Sequence, residues 1–242
     1  MQRFLCFNMP TGTAKYNGYA VYCNDNKPLG VVSADGDRMA ICNMTIMPKK
    51  LQGYLIAIED KRFYQHTGID IKGILRAILE NLKAGKVVQG GSTITQQLAR
   101  NILMDNRKNI IRKLKEIFIA FKLENQYIKD QILELYLHKV FWGKRIYGLR
   151  AASLEFFSKE PEQLSTAEQL ALLTLLRGPN YYLKNETEFH KRYDLLGNIL
   201  YNRRVLSKRK ISKIKKAAIH IGNNDLAIFR NDSVPYIAKQ VN

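Results

Sequence analysis

Two carboxylates, Glu59 and Asp60, directly follow the apolar stretch LIAI and belong to the segment AIEDKRFYQHTGID. Apolar neighbours remove water from an acid, and a carboxylate in such a setting can serve as a general base. A surface ion pair between Glu59 and Lys61 or Arg62 would explain the same spacing without any catalysis. The nearby His66 is of a residue type that more often has a structural hydrogen-bonding role than a catalytic one.

A second candidate is VQGGSTITQQLARN, in which two glycines are followed by three hydroxyls, then by the two amides of Gln96 and Gln97, and then by a cation. Glycines allow a ligand to approach the main chain closely, and Thr93 and Gln96 have the spacing of a capping box. Free N–H groups and hydroxyls at a helix amino terminus also bind anions. Arg100 follows Thr93 by about two helical turns, so it lies on the same side. The segment therefore predicts a helix start that is either simply capped or also faces a ligand.

The third candidate is RKNIIRKLKE, in which Arg112 and Lys113 precede Glu116 by four and three residues. This spacing is typical of ordinary ion pairs on a solvated helix. The functional alternative is a track of cations that holds a diphosphate next to a second carboxylate. Neither explanation is excluded by this segment alone.

The net charge is the most unusual property of the composition. The 242 residues carry a formal charge of +18, with 46% hydrophobic and 25% charged residues. This composition excludes a disordered chain and a chain that is membrane-embedded throughout. The basic excess indicates an anionic partner, which could be a nucleic acid, an anionic membrane surface or a phosphorylated substrate.

Cysteine spacing and hydropathy give no targeting or metal signal. Cys6, Cys23 and Cys42 lack Cys-x-x-Cys spacing, and their odd number leaves at least one free thiol, with one disulfide still open. No ligand cluster is visible, so a divalent cation such as Mg²⁺ or Mn²⁺ stays open as a cofactor. Without a signal peptide or a long apolar run, the protein is either cytosolic or shown without its targeting or anchoring segment.

Helical spacing begins at Lys49. The first 48 residues alternate β-prone runs with turn signals, which predicts two or three short strands. Ser165 and Glu168 have capping-box spacing before a buried helix. An earlier helix has apolar residues at three- and four-residue intervals, so we expect it to bury one face and to end at Gly85. That face comprises Ile71, Ile74, Leu75, Ile78, Leu79 and Leu82.

We therefore predict a mainly α chain in three parts. Residues 1–48 form an amino-terminal β-leaning segment, residues 49–188 form the core, and residues 189–242 form a helical, basic part of the same domain. That last part contains RRVLSKRKISKIKKA, which has eight basic residues and no acidic one. Further amphipathic helices are expected around Ile110, Leu114, Ile117, Phe118 and Phe121, around Ile128, Ile132, Leu133, Tyr136 and Leu137, and from Phe189.

Four segments together, in their order and at their separations, resemble the peptidoglycan glycosyltransferase family. They are EDKRFYQHTGID, GGSTITQQLARN, RKLKE and ILELYL. The family comprises monofunctional transglycosylases and the polymerase domain of bifunctional penicillin-binding proteins. The resemblance runs from about residue 21 to residue 242 and includes FWGKRIYGLRAAS and LALLTLLRGPNYY. It implies a mainly α, lysozyme-like fold whose core, residues 49–188, is catalytic, with a small membrane-facing lobe at about residues 101–111.

The resemblance also implies an activity. Family members polymerise a lipid-linked disaccharide precursor into β-1,4 glycan strands, with inversion and release of undecaprenyl diphosphate. Glu59 would be the general base for the acceptor 4-hydroxyl, and Glu116 a second carboxylate that orients the site or stabilises charge. The residues expected to bind substrate are Ser92, Thr93, Gln96 and Gln97, together with the diphosphate-neutralising cations Arg100, Lys108 and Lys113.

Some positions depart from the family pattern. The family usually has Lys at Arg100, Arg at Lys108 and Asn at His138. The first two changes keep the charge, but a planar guanidinium and an ammonium are not equivalent ligands for phosphate. The departures put the rate and the substrate details in doubt more than the type of reaction.

The expected partners are the lipid-linked precursor, the growing glycan strand and an anionic membrane surface, with a separate transpeptidase left open and no nucleic acid. The expected location is the outer face of the bacterial cytoplasmic membrane, by peripheral docking or through an anchor that this chain lacks. The docking would use the 101–111 lobe and the basic tail.

Three alternatives remain at this point. A lysozyme-like glycan-cleaving enzyme would suit a helical fold with one catalytic Glu, but it has no diphosphate to hold. A basic nucleic-acid-binding module would use the stretch from Arg203 to Lys216 to follow phosphates. A catalytically idle scaffold of the same family would keep the fold without the reaction.

Overall fold

The computed structural model describes residues 18–22, 28–33, 38–40, 47–86, 90–103, 109–217, 219, 221 and 237–241, and the first three ranges and the last by their backbone. Cys6, Cys23, Cys42 and Lys108 lie outside these residues. The described strands are β1 (Gly18–Tyr22), β2 (Pro28–Ser33), β3 (Arg38–Ala40), β4 (Ile146–Tyr147) and β5 (Ile237–Val241). The described α-helices are α1 (Lys49–Glu59), α2 (Ile71–Ala84), α3 (Ile94–Leu103), α4 (Ile110–Gln126), α5 (Lys129–Lys139), α6 (Leu149–Phe157), α7 (Thr166–Leu175), α8 (Pro179–Lys184), α9 (Glu186–Asn202) and α10 (Lys208–Lys216).

A small sheet joins the two ends of the chain. Its strand order is β4-β3-β2-β1-β5, with antiparallel neighbours except for the parallel pair of β3 and β4. The prediction of two or three strands in the first 48 residues is confirmed by β1, β2 and β3. The prediction of a helical carboxyl-terminal part is wrong for β5, because this segment satisfies its backbone hydrogen bonds by pairing with β1.

Helix starts and stops follow the local signals. α1 begins at Lys49, and α7 begins with the expected capping box, in which Ser165 and Glu168 bond reciprocally. α2 ends at Gly85, whose φ of 62° places it in the left-handed region that glycine adopts without strain. Each of these features depends on residues close together in the chain.

The main core surrounds α7, a helix that is buried on nearly all sides. Its residues from Gln169 to Leu175 are all buried, and α1, α8 and α9 pack around it. Trp142, Tyr136 and Phe63 are the largest side chains that are fully buried. These helices form the rigid base on which α1 presents its last residue, Glu59.

The prediction that α2 buries its apolar face is wrong. Ile71, Leu75, Ile78, Leu79 and Leu82 are 49% to 73% exposed. The helix is confirmed, but it packs through its opposite side, where Gly73 and Ala77 are buried. Periodicity identifies an apolar face, whereas the tertiary structure decides whether anything covers it.

α4 has a second exposed apolar face. Ile110, Ile111, Leu114, Phe118 and Phe121 are 43% to 79% exposed. Its buried side carries Glu116, Ala120 and Leu123 instead. Of the helices in the described ranges, none combines the length and the apolar character needed to cross a bilayer.

The start of α3 is held by the carboxylate of Asp60. Asp60 Oδ2 accepts a hydrogen bond from the Ile94 amide at 3.1 Å and another from His66 Nε2 at 2.9 Å. The Gly68 amide donates to His66 Nδ1 at 3.2 Å, which makes Nε2 the protonated nitrogen of a neutral ring. His66 therefore has the structural role that its residue type favoured, and Asp60 is an anchor for α3.

Asp60→Ala should destabilise the protein. The change leaves the Ile94 amide and His66 Nε2 buried without an acceptor, so the free energy of unfolding should fall by about 3 kcal/mol. The measurement is urea unfolding followed by circular dichroism. The control is Asp194→Ala at an exposed carboxylate 3.5 Å from Lys215, where we expect a loss of less than about 0.5 kcal/mol. Equal losses in the two variants would contradict the anchoring role of Asp60.

Candidate active site

Glu59 lies at the carboxyl end of α1 with its side chain 20% exposed. Gln97 Nε2 donates a hydrogen bond to Glu59 Oε2 at 3.1 Å, and Arg192 Nη2 lies 3.8 Å from Oε1. Among the described residues the ion-pair partner of Glu59 is Arg192 and neither Lys61 nor Arg62, and Arg62 faces Asp70 at 3.4 Å. Glu59 is thus fixed by residues distant in the sequence.

The residues that hold Glu59 are themselves held. Tyr136 is fully buried, and its hydroxyl donates to Gln97 Oε1 at 3.0 Å. Because that oxygen accepts from Tyr136, the NH₂ group of Gln97 points towards Glu59. Burial raises the pKa of Tyr136 well above its usual value, so the hydroxyl stays protonated as a donor. Arg192 Nε donates to the Thr174 carbonyl at 3.1 Å.

Glu116 is completely buried, and three cations surround its carboxylate. Arg100 Nε donates to Oε1 at 2.9 Å, and Lys113 Nζ donates to Oε2 at 3.1 Å. Arg112 donates to Oε1 from the same helix. One negative charge is thus shared by three positive ones, which leaves a local excess of positive charge for an incoming anion.

Lys113 is the cation in this group whose pKa is lowered towards neutral pH. Burial lowers the pKa of Lys113 to about 8, with further contributions from the nearby Arg100 and Arg112. Its ammonium also donates to Ser92 Oγ at 3.1 Å. Since a lowered pKa means that the folded site opposes protonation, a bound anion would relieve that opposition.

α3 brings the two carboxylates to one site. Gln97, which bonds Glu59, and Arg100, which bonds Glu116, are three residues apart on the same face of this helix. Their positions along the helix axis differ by about 4.5 Å. The arrangement places a fixed carboxylate beside a cationic patch, which suits proton removal coupled to the departure of an anion.

Of the other residues predicted to bind substrate, two cap the start of α3 and one lies at the cationic patch. Thr93 and Gln96 are buried and form the predicted capping box, with Thr93 Oγ1 also donating to the Gly68 carbonyl at 2.6 Å. Their contact with a substrate stays a prediction, as does that of Lys108. Ser92 is partly exposed and bonds Lys113, so it lies at the cationic patch.

One glycine of the GGST segment has a packing role. A Cβ atom at Gly91 would lie 3.2 Å from the Cα of Ile74, so this residue allows α2 and the start of α3 to approach closely. Gly90 has nothing nearby. The sequence predicts that both glycines allow a ligand to approach, but Gly91 is also needed for the packing of α3 against α2.

Three members of the site are not among the predicted site residues. Tyr136 is predicted only as part of an amphipathic helix, and Arg192 has no local signal. Arg112 is correctly predicted as a partner of Glu116, but the sequence does not single it out as a site residue. Among the residues that the structure describes, no three His, Cys, Asp or Glu side chains gather in a way that could hold a metal ion.

Comparisons with known proteins identify the family. A model of the transglycosylase family matches residues 25–200. Penicillin-binding protein 1F of Bacillus subtilis (strain 168) is 41% identical over 160 residues, which are 63% of this chain and 22% of that protein. Penicillin-binding protein 1A of Neisseria cinerea is 40% identical over 163 residues, which are 64% of this chain and 20% of that protein. The chain thus spans about a fifth of the length of these relatives.

A solved structure was also matched. The 2.6 Å crystal structure of penicillin-binding protein 1A from Haemophilus influenzae aligns with 88% of this chain and 22% of that one. The TM-score is 0.48 and the sequence identity is 18%.

The chain belongs to the transglycosylase family, because the family match covers most of its length. The resemblance found in the sequence is therefore confirmed, and with it the class of enzyme, a glycosyltransferase, and the mainly α fold.

The lowered pKa of Lys113 predicts how anion binding depends on pH. As the pH rises through about 8, Lys113 loses its charge, so the affinity for inorganic diphosphate should fall. Lys113→Arg keeps the charge over this range and serves as the control, because the guanidinium does not deprotonate there. Isothermal titration calorimetry below and above pH 8 gives the two affinities. If the ratio of the parent's affinity to the variant's affinity is the same below and above pH 8, Lys113 does not supply this charge.

Proposed function

We propose that this chain polymerises a lipid-linked disaccharide-peptide precursor (lipid II) of peptidoglycan into β-1,4 glycan strands and releases undecaprenyl diphosphate. The observation that carries the proposal is the placement of Glu59 and the cation-surrounded Glu116 against one face of α3. A polymerase of this kind needs a base for the acceptor hydroxyl and positive charge for the departing diphosphate. The site supplies both.

The proposed reaction is a substitution at the anomeric carbon of the donor. Glu59 takes the proton of the acceptor 4-hydroxyl, whose oxygen then attacks the anomeric carbon of the donor. The bond from that carbon to the diphosphate oxygen breaks, and its electron pair leaves with the diphosphate. Attack from the face opposite the leaving group inverts the anomeric centre. Arg100 and Lys113 offset the charge that grows on the diphosphate.

Three residues position the base. Gln97 and Arg192 each face one oxygen of Glu59, and Tyr136 fixes the amide of Gln97. A carboxylate held in one orientation accepts the proton without first reorganising, which is the advantage of a preorganised site.

The surroundings of Glu116 favour this reaction over glycan cleavage. A glycan-cleaving enzyme needs a carboxylic acid that protonates the leaving oxygen. Glu116 is surrounded by Arg100, Arg112 and Lys113, which supports a role as a partner of positive charges and argues against one as a proton donor. A diphosphate leaves without protonation when its charge is neutralised. A requirement for Mg²⁺ or Mn²⁺ stays a prediction, tested by adding a chelator.

The exposed apolar faces of α2 and α4 support docking on a membrane. Together they present ten large apolar side chains to the surroundings, which is typical of an interaction surface. A lipid-linked substrate requires such contact at the outer face of the cytoplasmic membrane. We extend the proposed lobe at residues 101–111 to these two helices, and the basic helix α10 stays a proposed second contact with anionic lipid. A separate transpeptidase stays a proposed partner.

Polymerisation of purified lipid-linked precursor tests the reaction and its base. Glu59→Gln should lower the rate about a hundredfold or more, because the amide cannot take the acceptor proton. Glu188→Gln is the matched control, at a carboxylate on α9 that is paired with Lys191 at 2.7 Å, and it should keep the parent rate. Gel separation of the glycan products gives the rates. Parent-like polymer from Glu59→Gln would remove Glu59 as the base, and no polymer from the parent would favour the idle scaffold.

Vesicle partition tests the docking surface. Leu75→Gln removes an apolar side chain that is 57% exposed on α2, so partition into phospholipid vesicles should fall about tenfold. Leu195→Gln changes a residue of α9 that is 52% exposed and should leave partition unchanged. Sedimentation with vesicles measures both. Equal partition of the two variants would exclude the α2 face from membrane contact.

A further inference from the structure

Two adjacent tyrosines lie on α8, the short helix that precedes α9 and its Arg192. The rings of Tyr181 and Tyr182 meet edge to face, with their centroids 5.2 Å apart and their planes at 78°. The side chain of Tyr181 is 54% exposed, so a ligand can reach its ring from the surface. The pair has no part in the site as described so far.

α8 holds these two rings on a fixed backbone. Pro179 begins the helix, and the amides of Tyr181 and Tyr182 donate to the Gly178 carbonyl at 3.1 and 3.0 Å. Asn185 Nδ2 donates to the Tyr181 carbonyl at 2.8 Å. The helix packs against α7 and α9. Rings on such a support lose little conformational freedom when a ligand binds.

Arg192 connects the tyrosines with the candidate base. Its guanidinium carbon lies 5.8 Å from the centre of the Tyr182 ring, and its Nη2 lies 3.8 Å from Glu59 Oε1. Tyr182 and Glu59 thus contact the same side chain. The tyrosines therefore adjoin the residue that takes the proton in the proposed reaction.

The terminal nitrogens of Arg192 can donate to a ligand. Nε is engaged by the Thr174 carbonyl at 3.1 Å, whereas Nη1 and Nη2 make no hydrogen bond with the described residues, since 3.8 Å to Glu59 is too long for one. In the described part of the chain neither is a buried nitrogen without a partner, and the side chain is 9% exposed. A hydroxyl bound next to Glu59 can therefore accept from them.

An aromatic pair beside such donors suits a sugar. One face of a pyranose ring presents C–H groups that pack on an aromatic ring, while its hydroxyls need hydrogen-bond partners at the edge. Tyr181 and Tyr182 supply the rings, Arg192 supplies donors, and Glu59 supplies an acceptor.

The direction of the proposed reaction indicates which sugar lies there. Inversion requires the acceptor oxygen to approach the anomeric carbon from the side opposite the leaving diphosphate. Glu59 faces α3 through Gln97 and faces α9 through Arg192. The cations proposed to hold the diphosphate, Arg100 and Lys113, lie on the α3 side. The acceptor therefore fits the α9 side, where α8 packs.

From these observations we propose that Tyr181 and Tyr182 bind a sugar ring of the acceptor, and that Arg192 donates to a hydroxyl of that sugar while Glu59 takes the proton of its 4-hydroxyl. The proposal rests on the proposed polymerisation and adds to it an acceptor subsite on α8. Arg192 then contacts the substrate as well as the base.

A titration with a soluble β-1,4-linked N-acetylglucosamine trisaccharide, followed by saturation-transfer NMR, tests the subsite without lipid or diphosphate. Tyr181→Leu should weaken binding about tenfold because it removes an exposed ring, and Tyr181→Phe should recover most of the affinity. Tyr201→Leu is the matched control at a tyrosine of α9 that is 45% exposed, and it should bind as the parent does. A parent that does not bind the trisaccharide, or equal binding by the two Leu variants, would overturn the subsite.

Calorimetry with inorganic diphosphate separates a sugar contact from general damage to the site. Tyr181→Leu should keep the parent's affinity for diphosphate and its unfolding temperature, because the ring is exposed and contacts neither Arg100 nor Lys113. A loss of diphosphate affinity or a lower unfolding temperature would mean that Tyr181 supports the fold, which contradicts the proposal.

Polymerisation in detergent links the subsite to the reaction. Tyr181→Leu should lower the rate about tenfold at a low concentration of lipid-linked precursor and less than about threefold at saturation, because more substrate offsets a weakened contact. An equal loss at both concentrations would place the effect on the chemical step and contradict an acceptor contact.

The combined results distinguish this proposal from the proposed function. If the parent makes no polymer but its binding of the trisaccharide depends on Tyr181, the proposed reaction fails and the sugar site remains. If the parent makes polymer and Tyr181→Leu binds and polymerises as the parent does, only the α8 subsite fails.

Discussion

The carboxylate of Glu116 is fully buried, and three cationic side chains from two helices surround it. Burying a carboxylate alone is unfavourable, so the site requires these donors. The carboxylate also offsets the repulsion between these like charges. Its hydrogen bond with Arg100 links α3 to α4. Through Lys113 the network extends to Ser92 at the start of α3. The positive patch therefore exists because a single buried acid holds it together.

α3 connects the buried Glu116 to the rest of the site. Its first turn is anchored by Asp60, the residue directly after Glu59, so the candidate base and the helix that faces it share one support. Gln97 then links the helix to Glu59, and Arg100 links it to Glu116. The polar residues of the GGSTITQQ segment thus divide into those that build the helix start and those that face outwards. Thr93 and Gln96 form the cap, whereas Ser92 contacts Lys113 and Gln97 contacts Glu59.

The features that could be predicted from the sequence depend on neighbours in the chain. The capping boxes at Thr93 and Ser165 and the stop at Gly85 each need only a few consecutive residues, and all three are present. The contact of Arg192 with Glu59 and the anchoring of α3 by Asp60 join distant segments, and no local pattern indicates them. The apolar period of α2 correctly predicted a helix, but it could not show that the described structure leaves this face uncovered.

The three cations around Glu116 carry more positive charge than one carboxylate offsets, and such an excess favours the binding of an anion. The most direct test of the central claim is a crystal structure of the chain with inorganic diphosphate. We expect the ion beside Glu116, within hydrogen-bonding distance of Arg100, Lys113 and Ser92. A diphosphate bound elsewhere, with Arg100 and Lys113 still engaged by Glu116 alone, would contradict it.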